Sequence, residues 1–218
     1  MPKERIGLLG GTFNPVHRGH IRAAKTVAGS FKLDKILFMP AYMPPHKEKE
    51  GVAEAKHRWV MVKEAVAPYP RLVPSSLEMD MGGPSYSINT IRKIKQKFQV
   101  DRLFFILGVD AFLEIETWKN YREVLKSCDF IVLSRPGYHL REAAGILNGR
   151  YKEKMTYVRE TAKIDIKTCE KYKFFLFEMN SLDISSSEIR TRLKQGESIT
   201  GLVPLKVEKY IKENNLYL

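Results

Sequence analysis

LLGGTFNPVHRGH, residues 8–20, closes an apolar run with Gly10-Gly11, turns through Thr12-Phe13-Asn14-Pro15, and sets His17 and His20 three residues apart. A strand that stops at two glycines and gives way to a helix is where an α/β chain brings its backbone close to a ligand. Glycine lacks the Cβ that would hold the ligand off, and a new helix offers unpaired N–H groups to an anion.

The flanking sequence repeats this strand-then-helix rhythm. Short apolar runs at 5–9, 35–40, 102–108, 129–134 and 174–179 fit strands buried on both faces of a parallel sheet. Helical spacing separates them. Ile21, Ala24, Val27, Ala28 and Phe31 share a face in 18–31, and Ile88, Ile91, Ile94 and Phe98 share one in 86–98. RLVPSSLEMD (71–80) predicts a further strand, interrupted by Pro74. The stretch 139–172 reads as a basic, polar excursion with one weak helical signal in 139–148. Helices are predicted at 185–195, with Ser185, Ser186 and Ser187 as N-cap candidates, and at 204–214, with Pro204 in its first turn. The expectation is an α/β, doubly wound, mainly parallel sheet with helices on both faces. It forms one domain over 1–218, with a C-terminal helical subregion at about 185–218.

A net charge of +12 and a pI near 9.6 point to anionic partners: nucleic acid, acidic lipid or phosphorylated small molecules. Cys128 and Cys169 form no pair motif, as suits a reducing cytosol, and neither a secretory signal nor a membrane-spanning run is apparent. A cytoplasmic protein is expected.

Neither G-x-G-x-x-G nor G-x-x-x-x-G-K-[ST] occurs, which leaves H-x-G-H. Two imidazoles at a helix start can donate to phosphate oxygens. Equally, His17 can pack or cap a turn and His20 can sit satisfied in the core. A zinc site would need further ligands, and His46, His57, His139 and the cysteines show no matching spacing. No protein metal site is expected. ISSSEIRTRL, residues 184–193, supplies a second anion cradle of hydroxyls, helix amides and Arg190, or else an ordinary capped helix with solvated arginines.

Taken together, GGTFNPVHRGH and ISSSEIR resemble the H-x-G-H nucleotidyltransferases and their Rossmann-like fold. More narrowly, the chain resembles the bacterial nicotinate-nucleotide adenylyltransferases. MPPHK (43–47), GPSYSINT (83–90), GVDAFLEIETW (108–118), SRPGY (134–138) and VPLKVEKYIKENNLY (203–217) follow in family order. Asn14 stands where many members carry Asp, and Ser187 replaces the usual Thr.

The resemblance implies adenylyl transfer from ATP, with Mg²⁺, to nicotinate mononucleotide, giving deamido-NAD and pyrophosphate in NAD biosynthesis. It implies His17, His20 and Arg190 as catalytic residues. Gly10, Gly11, Thr12, Phe13, His20, Asp110, Ile184, Ser185, Ser187 and Arg190 would hold ATP. Asn14, His46, Lys47, Ser85, Tyr86, Ser87, Trp118 and Arg135 would hold the mononucleotide. The backbone amides of 83–87 would receive the nicotinate carboxylate and Trp118 would stack on the pyridine ring. On general grounds Asp110 serves equally as a helix N-cap and Trp118 as core.

Nicotinamide mononucleotide, or another phosphate acceptor, is the alternative substrate within the superfamily. A basic nucleic-acid-binding module also accounts for the charge, but it predicts cations interleaved with exposed aromatics or a recognition helix, and neither stands out. No nucleic-acid or membrane partner is expected. Oligomeric state is not legible.

Overall fold

The computed structural model describes residues 4–44, 51–146, 151–180 and 182–218. In chain order the elements are β1 (Glu4–Gly11), α1 (Arg18–Ser30), β2 (Lys35–Pro40), α2 (Ala55–Val66), β3 (Leu72–Pro74), α3 (Leu77–Met81), α4 (Ser87–Lys97), β4 (Val100–Gly108), α5 (Val109–Leu113), α6 (Tyr121–Ser127), β5 (Asp129–Leu133), α7 (Leu140–Ile146), β6 (Met155–Arg159), α8 (Ile166–Lys171), β7 (Phe174–Glu178), α9 (Ser186–Lys194) and α10 (Leu205–Glu213).

Seven parallel strands lie in the order β3-β2-β1-β4-β5-β7-β6. Alternation along each strand sends side chains to two separate apolar layers. Leu9, Ile36, Phe38, Ile106 and Phe177 join α1, α2, α9 and α10 on one face. Leu8, Leu37, Phe105, Val132 and Leu176 join α4, α5 and α6 on the other. The doubly wound expectation is met. From the β1/β4 pair the chain winds out one way through β2 and β3 and the other way through β5, β7 and β6. This reversal opens a crevice above the carboxyl ends of β1 and β4, where α/β sheets receive ligands. Among the described residues no helix is long and apolar enough to cross a membrane.

Three segments differ from the sequence reading. The 71–80 strand ends at Pro74, because proline has no N–H to extend the ladder, and Leu77 opens α3 instead. The 139–172 excursion holds an edge strand, β6, and the short α8. β6 escaped notice because a strand buried on one side only shows no continuous apolar run. Helix α2 gave no clean apolar stripe because its core side carries an arginine, Arg58, only 1% exposed.

Candidate active site

β1 ends at Gly10-Gly11, and the chain then takes a tight path. Phe13 lies at φ 48°, a conformation costly for a residue with a Cβ and kept only where packing fixes it. Its buried ring stacks on Phe38 (centroids 5.7 Å apart) and meets the His20 ring edge-on (5.0 Å). His17 occupies the N-cap position of α1 and is 6% exposed. Its imidazole lies 3.6 Å, centroid to centroid, from that of His20. The His17 backbone N–H donates to His20 Nδ1 at 3.1 Å. An Nδ1 that accepts carries no proton, so neutral His20 bears its proton on Nε2.

Gly19 makes this pairing possible. A Cβ there would stand 2.9 Å from His17 Nδ1 and 3.0 Å from Cε1. The room therefore serves the protein's own imidazole. Gly19→Ala is expected to displace the ring, destabilise the fold by about 1–3 kcal/mol as overpacking does, and lower activity more than stability. Thermal unfolding alongside steady-state kinetics checks this; wild-type kinetics would show that the ring's seat does not matter.

The two sequence motifs meet in space. Arg190 donates from Nη1 to the Asn14 carbonyl (2.9 Å) and from Nη2 to Ser187 Oγ (3.3 Å), while Ser186 Oγ donates to the Pro15 carbonyl (2.9 Å). Of the three serines it is Ser185 that caps α9, accepting from Glu188 N–H at 3.0 Å. Just before it, the Ile184 carbonyl comes close to Gly19.

After β4, Asp110 pairs with Arg135 through Oδ2, while its Oδ1 is buried and has no hydrogen-bond partner among the described residues. At Gly108 a Cβ would collide with that Oδ1, so any side chain there would have to displace the Asp110 carboxylate. An unpartnered carboxylate oxygen at the crevice is an acceptor ready for hydroxyl or amino donors. Arg135 also lies near enough to His17 to disfavour its charged form.

On the β2 side, Tyr42 and Met43 run beside the 84–86 turn. Tyr42 N–H donates to Ser85 Oγ (2.9 Å), and Ser85 N–H to the Met43 carbonyl (3.0 Å). Tyr86 N–H is engaged by the Pro84 carbonyl (2.9 Å). The amides that a helix start leaves without intrahelical partners are therefore those opening α4 from Ser87. Trp118 is half-buried, its ring centroid 5.7 Å from that of Phe105. The Asn14 side chain is engaged through both its polar atoms. Nδ2 donates to the Gly51 carbonyl (2.8 Å) and Oδ1 accepts from Ala53 N–H (3.0 Å). His46 and Lys47 lie outside the described residues.

Residues 8–192 match the cytidylyltransferase-like family model. A probable nicotinate-nucleotide adenylyltransferase of Desulfatibacillum aliphaticivorans is 41% identical over 217 residues, covering 98% of this chain and 100% of the relative. One of Citrifermentans bemidjiense is 39% identical over 214 residues, 98% of each chain. The chain belongs to the nicotinate-nucleotide adenylyltransferase family. It is thus a nucleotidyltransferase of the cytidylyltransferase-like group. The fold agrees with a Plasmodium falciparum nicotinic acid mononucleotide adenylyltransferase solved with NaAD (TM-score 0.73, 18% identity, 98% of this chain and 97% of that one). It also agrees with a putative nicotinate-nucleotide adenylyltransferase of Vibrio parahaemolyticus (TM-score 0.64, 15% identity, 98% and 95%).

Two buried charged residues of this family member were not legible in the sequence. Arg58 donates to the carbonyls of Thr12 (2.9 Å), Ala41 (2.6 Å), Tyr42 (3.1 Å) and Ala53 (2.9 Å). Glu78 accepts from Thr90 Oγ1 at 2.6 Å. An arginine embedded among apolar residues in HRWVMV was the available signal for the first. The second had none, since a lone Glu in a short segment reads as surface.

Burial, with Arg135 adding to it, pulls the His17 pKa down from 6.5 to about 4. Folded His17 is therefore neutral where the unfolded chain already binds a proton. Its contribution to stability is intact above pH 6.5 and falls as the pH drops toward 4, by about 3 kcal/mol in all. Urea unfolding across that range reads this out, and the slope should flatten in His17→Asn. An unchanged slope would place the proton elsewhere.

Proposed function

We propose that the chain transfers the adenylyl group of ATP to nicotinate mononucleotide, releasing pyrophosphate and forming deamido-NAD. The observation that carries this is the meeting of the two cradles: the His17/His20 pair at the start of α1 and Arg190 of α9, latched on Asn14 at the sheet's switch point. The chain works as one nucleotidyltransferase domain. Its helical subregion from about 185 shares an apolar layer with α1 and α2.

The attacking group is a phosphate oxygen of the mononucleotide, largely ionised at neutral pH because its second pKa is about 6. It forms a bond to the α-phosphorus as the bond to the bridging oxygen of pyrophosphate breaks, and no general base is needed. Catalysis is positioning and neutralisation of developing charge. His20 Nε2–H donates to the transferred phosphoryl, and neutral His17 can take up a proton when polyphosphate arrives. Arg190 and Ser187 hold the β- and γ-phosphates and steady the departing pyrophosphate. Gly10, Gly11, Thr12 and Phe13 pass the backbone along the nucleotide, Ile184 and Ser185 border the adenine, and Asp110 Oδ1 takes ribose hydroxyl or adenine donors. With Asp110, Arg135 shapes the cleft wall facing the mononucleotide.

Trp118 and Tyr86 flank the pyridine ring, and the opening amides of α4 at Ser87 receive its carboxylate. Ser85 and Asn14 act here through the fold, one fixing the 42–43 segment and the other the 51–53 segment. Among the described residues no three His, Cys, Asp or Glu side chains gather as a metal cage. Mg²⁺ would be carried by the phosphates of ATP and would supply further charge neutralisation there.

The test is pyrophosphate release from Mg-ATP with nicotinate or nicotinamide mononucleotide. Faster turnover with the acid is expected. A preference for the amide would move the chain to the other acceptor, and no release with either would refute the activity.

A further inference from the structure

Glu78 raises a question that the proposed chemistry leaves open. It sits on the five-residue helix α3, is 8% exposed, and is partnered by hydroxyls instead of a cation. Thr90 Oγ1 donates to it at 2.6 Å, and the Ser85 hydroxyl also stabilises its charge. Arg58 acts on it from farther off. Burial pushes its carboxyl up, against these three. A buried carboxylate in such surroundings is poor value for stability, since an apolar side chain of the same size usually does as well. What a carboxylate can do, and a carboxamide cannot, is accept from two hydroxyls without offering a donor of its own.

That property has geometric consequences on both sides of the acceptor cleft. Ser85 Oγ accepts from the backbone amides of Tyr42 (2.9 Å) and Met43 (3.4 Å), and its hydroxyl favours the charged form of Glu78. The Met43–Pro84 bridge and the Ser85 N–H to Met43 carbonyl bond lock the same pair of segments. The Tyr42 carbonyl is in turn held by Arg58. On the other side Thr90, 1% exposed, lies in the opening turns of α4, so its bond to Glu78 fixes the direction in which the helix start points.

We propose that Glu78 is the positioning residue of the acceptor half of the cleft. Through Ser85 and Thr90 it sets the spacing between the 42–43 segment and the first turn of α4, and so the discrimination between a pyridine ring bearing a carboxylate and one bearing a carboxamide. This rests on the acceptor reading given above.

The test is steady-state kinetics with both mononucleotides on the wild type and on Glu78→Gln, Thr90→Val and Thr90→Ser, with thermal unfolding run in parallel. Glu78→Gln and Thr90→Val should raise KM for nicotinate mononucleotide on the order of 10-fold, the scale at which small displacements of binding groups register. KM for ATP should stay within about 2-fold, and the acid-over-amide ratio should fall. Thr90→Ser, which restores the hydroxyl, should return both values toward wild type. If Glu78→Gln does not fold, the Thr90 pair carries the same comparison. Variants that lose stability while keeping the wild-type KM and acid-over-amide ratio would reduce Glu78 to a purely structural residue. A wild type that releases no pyrophosphate with either mononucleotide would instead overturn the acceptor reading, and this inference with it.

Discussion

His20→Ala is expected to lower kcat by about 10²–10³-fold, with KM for both substrates changed little and the thermal midpoint nearly kept. The size follows from removing one preorganised donor to charge that develops only in the transition state. The His20 tautomer is already set in the free protein by the His17 N–H bond to Nδ1. His20→Gln, which restores a donor at roughly the same reach, should recover part of the loss. Unchanged kcat in His20→Ala would remove the imidazole from the mechanism and leave Arg190 and the helix start to carry the chemistry.

Arg58→Met is expected to destabilise the fold by about 3–5 kcal/mol, because several part-buried carbonyls lose a charged donor at once. For a chain of this length that is roughly 10–15 °C in Tm. Four carbonyls, from Thr12, Ala41, Tyr42 and Ala53, lose their donors together, and each buried acceptor left alone costs about 1–3 kcal/mol unless water reaches it. Arg58→Lys keeps the charge but cannot fork, so it should recover only part of the loss. Urea unfolding of the three proteins measures this. A Met variant as stable as wild type would mean that the loops hold one another without the guanidinium.

Much of this was open to reading because its causes are local. The runs at 35–40 and 102–108 became β2 and β4 since a strand covered on both faces must be apolar throughout. Isoleucines at 88, 91 and 94 placed α4 because they recur at the helical period. Ser185 could be named as a cap candidate because capping involves only the next few residues. Arg58 and Glu78 were not readable, since each takes its meaning from partners that the fold brings from elsewhere. The Asn14 amide illustrates the same limit: the resemblance implies a mononucleotide contact, and its bonds to Gly51 and Ala53 come from a loop distant in sequence. Gly19 lies between these cases. Its place inside H-x-G-H is plain in the sequence, but only the fold shows that the room it leaves is filled by His17.

The order of the strands also bears on how the molecule comes into being. β1 leaves the ribosome early, yet one of its neighbours is β4, where Leu103 aligns with Ile6. At roughly 5–20 residues per second, the N-terminal strand waits many seconds, apolar on both faces, for that partner. The latch on Asn14 and Pro15 comes later still, from Ser186 and Arg190. A nascent chain can therefore complete its sheet before it owns a finished catalytic loop. Competence waits on α9, which is synthesised after every strand of the sheet.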